Sequence, residues 1–323
     1  TPGLTPDDPM PEAARKILRF HFLRMVHHEA GTRQGEDIEA LHDMRVATRR
    51  MRAALQVFDD YLDRKKFRPF RKGLRRTARA LGKVRDLDVF WEKTQHFLEN
   101  APEGTTLNLE PLRQVWAAEH EANRRKLLAY LDSPAYQNFK TRFDDFLQEP
   151  DAFALSPFSA EGLPRPYRLR HVAPAALYRR WAAVQAYDEW IARADLSLDQ
   201  LHRLRIECKQ LRYALEFFRE VLGPEAKSLI KDIKALQNHL GDLQDAVVAS
   251  GFLRNVLAWG TWTPPKGGAP PPPLDTLDIG GVALYLNARQ QELRRLLETF
   301  PQTWQNLQQR HFGRRLAEAV KEL

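Results

Sequence analysis

The amino-acid sequence predicts an all-α fold, built as two pseudo-symmetric helical-bundle repeats packed around a central basic groove or pore. Two observations support this prediction. Apolar residues recur at helical spacing almost throughout, while strand-like alternation is essentially absent. In addition, a 22-residue basic segment recurs 160 residues later in altered form, with eight identical positions. We therefore expect a single domain over 1–323, with repeat 1 at about 12–148, a connector at about 149–170 and repeat 2 at about 171–323.

The individual helices follow from the apolar periodicity and from stop and capping signals. A break is expected around Lys65 to Pro69, helix ends at Gly82 and Gly241, and a stop with an N-cap at Ser133. The connector is rich in proline, and the segment from Gly260 to Pro273 is expected to be an exposed loop or semi-rigid spacer. The expected helices of the first half lie at about 12–30, 70–84, 86–100, 109–132 and 134–148, and a further helix, which carries the recurring segment, begins near residue 38. Those of the second half lie at about 174–193, 198–222, 225–240, 243–258, 280–298 and 301–321.

The recurring segments, Leu41 to Leu62 and Leu201 to Leu222, share the pattern His-x-x-Arg-x-x-x-(Arg/Lys)-x-x-Arg. At 100° per residue these four positions fall within an arc of about 80° on a helix. Each copy therefore predicts a row of cations along one helix face. We call the eight residues the ridge: His42, Arg45, Arg49 and Arg52 in the first copy, and His202, Arg205, Lys209 and Arg212 in the second.

The segment that follows each ridge helix carries further cations on a single helical face. In the first half these are Arg68, Lys72, Arg75, Arg76, Arg79 and Lys83, and in the second half Lys227, Lys231 and Lys234. Packing each pair of helices as antiparallel neighbours would let four cationic faces line one groove or channel around a pseudo-two-fold axis. The second-half face is less cationic, so the first half is expected to contribute more of the affinity for an anion.

The charge distribution indicates an anionic partner. The net charge is +8, yet residues 41–85 alone contain fifteen Lys or Arg against four Asp, a local net charge of +11. Each ridge lies between two apolar stripes, and charge that is buried without a partner is costly. The partners are therefore either an anionic ligand or carboxylates of the protein, for which Asp86, Asp88, Asp242 and Asp245 are the candidates. The excess of cations is too large for internal pairing to neutralise all of it.

Several functional classes lack their signatures in this sequence. No apolar run reaches the 18 or so residues of a membrane-spanning helix, and no secretory signal is visible. A single cysteine, Cys208, fits a reducing compartment, and the histidines do not have metal-ligand spacing. A glycine-rich phosphate loop is also missing. We therefore expect a cytoplasmic protein without cofactor, metal site or catalytic residues, and with no membrane association.

Four motifs, in order, resemble the CHAD family, the "conserved histidine α-helical domain". They are His42-Asp-Met-Arg-Val-Ala-Thr-Arg-Arg-Met-Arg52, Leu81-Gly-Lys-Val-Arg-Asp86, His202-Arg-Leu-Arg-Ile-Glu-Cys-Lys-Gln-Leu-Arg-Tyr213 and Leu240-Gly-Asp-Leu-Gln-Asp245. The resemblance covers the chain from about residue 12 to its end. It implies two pseudo-symmetric helical bundles that bind inorganic polyphosphate through basic residues lining a central pore, with a location at polyphosphate granules. The cations named above would then be the polyphosphate ligands.

Two other functions remain as alternatives. A nucleic-acid-binding helical protein would also carry a basic stripe. However, its aromatic residues Phe58, Tyr61, Phe217 and Phe218 fall at packing positions and are not interleaved with the cations. A polyphosphate-processing enzyme would need His42 or His202 as a phosphohistidine nucleophile. The sequence offers neither a carboxylate-held Mg²⁺ motif nor a phosphate loop for such an enzyme.

Overall fold

In the computed structural model, which describes residues 1–100, 107–193, 196–265 and 279–323, the chain forms twelve α-helices. Within these ranges there is no β-strand, only three isolated bridges. The predicted all-α class is therefore confirmed. The helices are α1 (Met10–His27), α2 (Glu29–Gln34), α3 (Ile38–Val57), α4 (Arg64–Glu99), α5 (Glu110–Asp132), α6 (Pro134–Gln148), α7 (Leu169–Gln185), α8 (Asp188–Ala192), α9 (Leu198–Phe218), α10 (Glu225–Trp259), α11 (Gly280–Gln309) and α12 (Phe312–Val320).

The predicted helix ends at Gly82 and Gly241 are wrong. Both glycines lie inside continuous helices, α4 and α10, and neither has a positive φ. A glycine in a helix interior costs only about 1 kcal/mol relative to alanine. The buried neighbours Leu81 and Val84 in α4, like Leu240 beside Gly241, supply packing that outweighs this cost. A glycine alone therefore did not indicate a helix end.

The predicted break between Lys65 and Pro69 is also wrong, because α4 begins at Arg64. The Asp63 carboxylate caps its first turn by accepting hydrogen bonds from the backbone N–H groups of Lys65 and Lys66. Pro69 lies near this end and removes a single backbone hydrogen bond. Phe67, which is fully buried, stacks edge-on against Phe153 at 4.7 Å and anchors the turn.

Other boundaries agree in part with the sequence. Helix α6 begins at Pro134, and the Ser133 side chain accepts a hydrogen bond from the Tyr136 backbone, as the N-cap prediction required. A reciprocal capping box of Ser197 and Gln200 starts α9. The expected helices at 12–30 and 174–193 are each divided into a long and a short helix, and α11 passes through Pro301. Of the predicted loop Gly260 to Pro273, residues 260–265 are described; they lie outside any helix, but Trp262 among them is buried. The rest of this loop falls outside the described residues.

The chain divides into two compact units. Unit 1 consists of Thr1–Leu81, Tyr130–Leu240 and Pro301–Leu323, and unit 2 of Gly82–Ala129 and Gly241–Phe300. Each unit draws on both halves of the chain, so the units cut across the predicted repeats. The pseudo-symmetric repeats and their boundaries stay sequence-based predictions.

In unit 1, α1 packs along α3, and α7 packs along α9, while α3 and α9 also contact each other. The aromatic rings of Phe58 and Phe218 meet edge-on at 5.9 Å near the C-terminal ends of the two ridge helices. Glu29, which is buried, accepts hydrogen bonds from Tyr136 and Lys140 of α6. These contacts hold the ridge helices in a fixed relation within unit 1.

Unit 2 has a separate hydrophobic core. Leu87 and Phe90 of α4 pack with Leu112 of α5, Leu253 of α10 and Tyr285 of α11. Phe90 also meets Trp262 edge-on at 4.9 Å. This core is rich in aromatic side chains and supports the ends of the long helices in unit 2.

Candidate anion-binding site

The first ridge is placed by the amphipathic character of α3. Met44, Met51 and Leu55 are almost fully buried and hold one side of the helix against its neighbours. Thr48, which is also buried, donates its hydroxyl hydrogen bond back to the carbonyl of Met44. The ridge lies beside this buried stripe, so the side chains of Arg45 and the other ridge residues of α3 remain at least partly accessible to solvent.

The second ridge is placed in the same way on α9. Leu204, Cys208 and Leu211 are fully buried. Burial raises the pKa of the Cys208 thiol, which keeps it in its neutral form. Lys209 follows Cys208 and is half-buried, so its charge lies at the edge of the core.

Residues of both ridges line one cavity of about 90 Å³ within unit 1. Arg49 and Lys209 occupy equivalent positions in the two copies of the motif, and both contribute to this cavity. The complete lining is Arg49, Arg52, Ala53, Gln56, Val57, Arg180, Lys209, Gln210 and Tyr213. Four cations from three helices therefore surround a space that accommodates a phosphate-sized group.

None of these four cations forms an ion pair among the described residues, although Glu207 lies near enough to favour the charged form of Arg180. In the described part of the chain, no carboxylate lies within ion-pairing distance of Arg49, Arg52, Lys209 or Arg205. The Nε atoms of Arg49 and Arg205 are buried and, among the described residues, have no hydrogen-bond partner. Leaving such donors unsatisfied is costly. An anion in the cavity, which Arg49 lines, would stabilise the charge of the Arg49 guanidinium.

The pKa values show the same accumulation of positive charge. Burial lowers the pKa of the Lys209 ammonium, and four neighbouring guanidinium groups lower it further: those of Arg205, Arg49, Arg52 and Arg212. Burial also lowers the pKa of Arg52, with a further contribution from Arg75 of α4. The cations of the site therefore repel one another, and a bound anion would offset this repulsion.

Arg212, the last residue of the second ridge, has partners within the protein. Arg212 is 8% exposed, donates to Glu216 on the next turn of α9, and donates through Nε to Gln237 of α10 at 2.7 Å. Glu216 also forms an ion pair with Arg50 of α3 at 2.9 Å. At this position the protein supplies the carboxylate, so Arg212 connects α9 to α10 and is less available to a ligand.

Three of the four aspartates that the sequence offered as possible internal partners of the ridge pair with other residues. Asp88 accepts a hydrogen bond from His120 at 2.8 Å. Asp242 and Asp245 both pair with Lys93, at 3.3 and 3.0 Å. All of these pairs lie within unit 2, whose helices carry their own cations.

The cations of α4 form an exposed face. Arg71 donates to the carbonyl of Leu55 and to Asp59, which fixes α4 against the end of α3. This contact brings Arg75 close enough to influence Arg52. Five predicted ligands of α4 are exposed in unit 1, namely Arg68, Lys72, Arg75, Arg76 and Arg79, whereas Lys83 is exposed in unit 2.

The structure does not bring every predicted ligand into the cavity. Lys227, Lys231 and Lys234 are exposed on α10, and these three are not among the residues that line it. His42 and His202 begin the two ridges and are partly buried, three residues before the first arginine of each motif. In the structure the ridge cations Arg49, Arg52 and Lys209 therefore form the centre of the site.

Arg180 of α7 belongs to the site but is not among the predicted ligands. Its Nη1 donates to Gln210 of α9 at 2.6 Å, and it lines the cavity. Burial lowers the pKa of Arg180. The signal was present in the sequence, because Arg180 lies beside the buried Leu177 and Trp181, the same placement of a cation at the edge of an apolar stripe that marks the ridge.

Neither a metal site nor a membrane-spanning helix is found among the residues that the structure describes. They contain no cluster of three or more His, Cys, Asp or Glu side chains able to hold a metal ion. None of their helices combines the length and apolar character needed to cross a membrane.

The sequence profile described as CHAD domain matches residues 16–254, which is most of the chain. Two curated proteins of Mycobacterium tuberculosis are also similar, "Uncharacterized protein MT2285" of strain CDC 1551 and "Uncharacterized protein Rv2226" of strain H37Rv. Each is 27% identical over 257 residues, covering 78% of this chain and 47% of the relative. The chain thus spans about half the length of the curated relatives it matches.

Two solved structures share the fold. The crystal structure of the CHAD domain from the plant Ricinus communis matches with a TM-score of 0.62 and 23% identity, covering 92% of this chain and 94% of that one. PptA from Streptomyces chartreusis matches with a TM-score of 0.63 and 18% identity, covering 92% and 100%. At these identities the likeness concerns the fold.

Proposed function

This chain belongs to the CHAD domain family, and from that premise we propose that it binds inorganic polyphosphate, with the cavity between α3, α7 and α9 as the centre of the binding surface. The observation that carries the proposal is the cluster of Arg49, Arg52, Arg180 and Lys209 around one cavity. Within the described chain none of the four has a carboxylate in ion-pairing distance. Such a cluster is costly for the folded protein and suits an anionic ligand.

The chemistry of polyphosphate fits this arrangement. The polymer carries about one negative charge per phosphate on non-bridging oxygens, which accept the forked donors of arginine and the point charge of lysine. From His42 to Arg52 the ridge extends about 15 Å along the axis of α3, a length of several phosphates. The exposed cations of α4 would extend the contact beyond the cavity.

Binding of this kind is electrostatic and requires no cofactor, so we propose a binding module and not an enzyme. The resemblance to the CHAD family further implies association with, or organisation of, polyphosphate granules in the cytoplasm. Granule association is a consequence to be tested after binding itself.

The test is a competition titration at fixed ionic strength, with long-chain polyphosphate against single-stranded and duplex DNA of matched charge. Strong preference for polyphosphate supports the proposal, because DNA supplies the same charge on a thicker polymer. Equal or tighter binding of DNA would contradict it and would favour the nucleic-acid-binding alternative.

A matched pair of variants links the binding to the cavity. The site variant combines Arg49→Ala, Arg52→Ala and Lys209→Ala. The control variant combines Arg113→Ala, Arg125→Ala and Arg203→Ala, which removes the same total charge from exposed positions. Since a hydrogen bond to a charged group contributes about 1.5 kcal/mol or more, the site variant should lose at least about 100-fold in affinity. The control should lose less than about threefold; equal losses in the two variants would contradict a defined site.

A further inference from the structure

We propose that unit 2 contains a second ligand site, a cleft that binds a nucleotide. The cleft has a volume of about 580 Å³, within the size range of small-molecule sites. It lies between the unit 2 portions of α4, α10 and α11. Its lining combines cations, side-chain amides, carboxylates and aromatic rings: Lys93, His96, Phe97, Asn100, Asp242, Tyr285, Ala288, Arg289, Gln291, Glu292 and Arg295.

Arg289 points to an anionic group in this cleft. It is only 6% exposed, and its Nη1 donates to Glu292. Its Nε and Nη2 atoms are buried and have no hydrogen-bond partner among the described residues. A buried guanidinium with unsatisfied donors is unusual in a folded protein. Because Arg289 lines the cleft, a phosphate group bound there would add negative charge beside this guanidinium.

Arg295 provides a second cation for the same group. It is exposed at the cleft, and within the described chain its guanidinium has no ion pair or hydrogen bond. Lys93 adds a third positive charge, although it already holds Asp242 and Asp245. The cleft can therefore bind a phosphate through groups that belong entirely to unit 2 and are separate from the ridge residues.

The carboxylates indicate what else the ligand carries. Asp242 and Glu292 line the cleft together with the cations. They would repel a bare phosphate polymer, but they can accept hydrogen bonds from hydroxyl groups. A carboxylate that binds ribose hydroxyls is a recurring feature of nucleotide sites. The mixture of charges thus favours a phosphate attached to a sugar over a polyanion.

The remaining lining suits a nucleobase. Phe97 is only partly buried and stacks on Tyr285 with ring centroids 4.6 Å apart. The exposed part of the Phe97 ring offers an apolar surface for a flat base. Asn100 and Gln291 place side-chain amides at the cleft, and amides can both donate to and accept from the edge of a base.

The proposal is tested by calorimetric titration of the protein with ATP, adenosine and tripolyphosphate at fixed ionic strength, without added divalent cations. We expect ATP to bind at least about tenfold more tightly than tripolyphosphate or adenosine. Arg295→Gln should weaken ATP binding at least about fivefold. Phe97→Leu should weaken ATP binding and leave tripolyphosphate binding unchanged. Both substitutions should leave the binding of long-chain polyphosphate unchanged, which separates this test from that of the proposed function.

The double variant Arg49→Ala/Arg52→Ala serves as the reciprocal control and should retain ATP binding. Three results would overturn the proposal: no binding of ATP, an ATP affinity that is unaffected by both unit 2 substitutions, or an ATP affinity that is lost in the reciprocal control. In the last case ATP would be bound as a simple polyanion at the ridge. Arg295 is exposed, and Phe97 is replaced by another apolar residue. Both variants should therefore have melting temperatures close to that of the unaltered protein.

Discussion

Replacing Lys209 by methionine should make the protein more stable and a weaker binder of polyphosphate. Lys209 is half-buried, lies among four arginines and, in the described chain, has no carboxylate partner. Methionine keeps the unbranched shape and the apolar contacts of the lysine side chain but removes its charge. The substitution therefore isolates the electrostatic contribution of one cation.

The size of the effect follows from the surroundings of Lys209. Two like charges at 4 Å repel by about 1 kcal/mol in water and about 4 kcal/mol near a protein surface. Partial exposure and salt reduce the total repulsion between Lys209 and the neighbouring arginines. We therefore expect a gain of about 1 kcal/mol in the free energy of unfolding, which raises Tm by about 2 °C. Loss of one charge-assisted contact of about 1.5–3 kcal/mol should weaken polyphosphate binding by about 10- to 100-fold.

The pH dependence of the stability gain gives an independent check. The pKa of Lys209 in the folded state lies below its usual value of 10.5. Between these two values the unfolded chain binds more protons than the folded protein, so stability from this group rises with pH. The advantage of Lys209→Met over the unaltered protein should therefore be full below the folded pKa and should decrease as pH rises towards 10.5.

Thermal unfolding and polyphosphate titration of both proteins, at several pH values, measure these quantities. Lys126→Met, at an exposed position on α5, is the matched control and should change neither Tm nor affinity appreciably. A destabilised Lys209→Met variant that retains full affinity would refute the reasoning, because it would mean that Lys209 stabilises the fold and does not contact the polymer.

Three further predictions concern the stability of unit 1 and the binding. Burial raises the pKa of Glu29, but hydrogen bonds from Lys140 and Tyr136 bring it below its usual value. The ionised Glu29 therefore stabilises the folded protein above about pH 4.5, and this stabilisation is lost on acidification. Glu29→Gln should cost about 3 kcal/mol in urea unfolding at pH 7 and should reduce the loss of stability at acidic pH. Burial, with Arg50 nearby, lowers the pKa of His21 to about 3. Because the unfolded chain protonates this histidine first, the free energy of unfolding should fall by roughly 3 kcal/mol between pH 7 and pH 4. His21→Phe should abolish that decrease. With four cations contacting phosphates, raising NaCl from 50 to 200 mM should weaken polyphosphate binding about 50-fold in a salt titration, whereas a change below about threefold would contradict an electrostatic site.

Much of the fold was predictable from local patterns. The helical class and the N-cap at Ser133 were predicted correctly because capping and amphipathic periodicity act over one or two turns. The extent of the helices was not, because Gly82, Gly241 and Pro69 were treated as local stop signals. In the folded protein, buried side chains on both sides of these residues outweigh a cost of about 1 kcal/mol for glycine in a helix.

The candidate site shows the same division. The sequence by itself determined which cations share a helix face, since the spacing of His42, Arg45, Arg49 and Arg52 depends only on the helical repeat. Only the tertiary structure decided which of the predicted ligands meet. It placed Arg49 and Lys209 beside one cavity and added Arg180 from a third helix.

The tertiary structure also decided how each charge is balanced. Arg212 and Lys209 lie on the same helix and look equivalent in the motif, yet Arg212 is paired with Glu216 while Lys209 faces other cations. Glu216 lies only one turn from Arg212 on α9, but Arg49 and Arg52, which repel Lys209, come from α3, far away in the chain. The energy of a buried charge changes steeply with its distance from such neighbours. Helix spacing therefore determined the cationic faces, and packing between helices determined where their charge is left for a ligand.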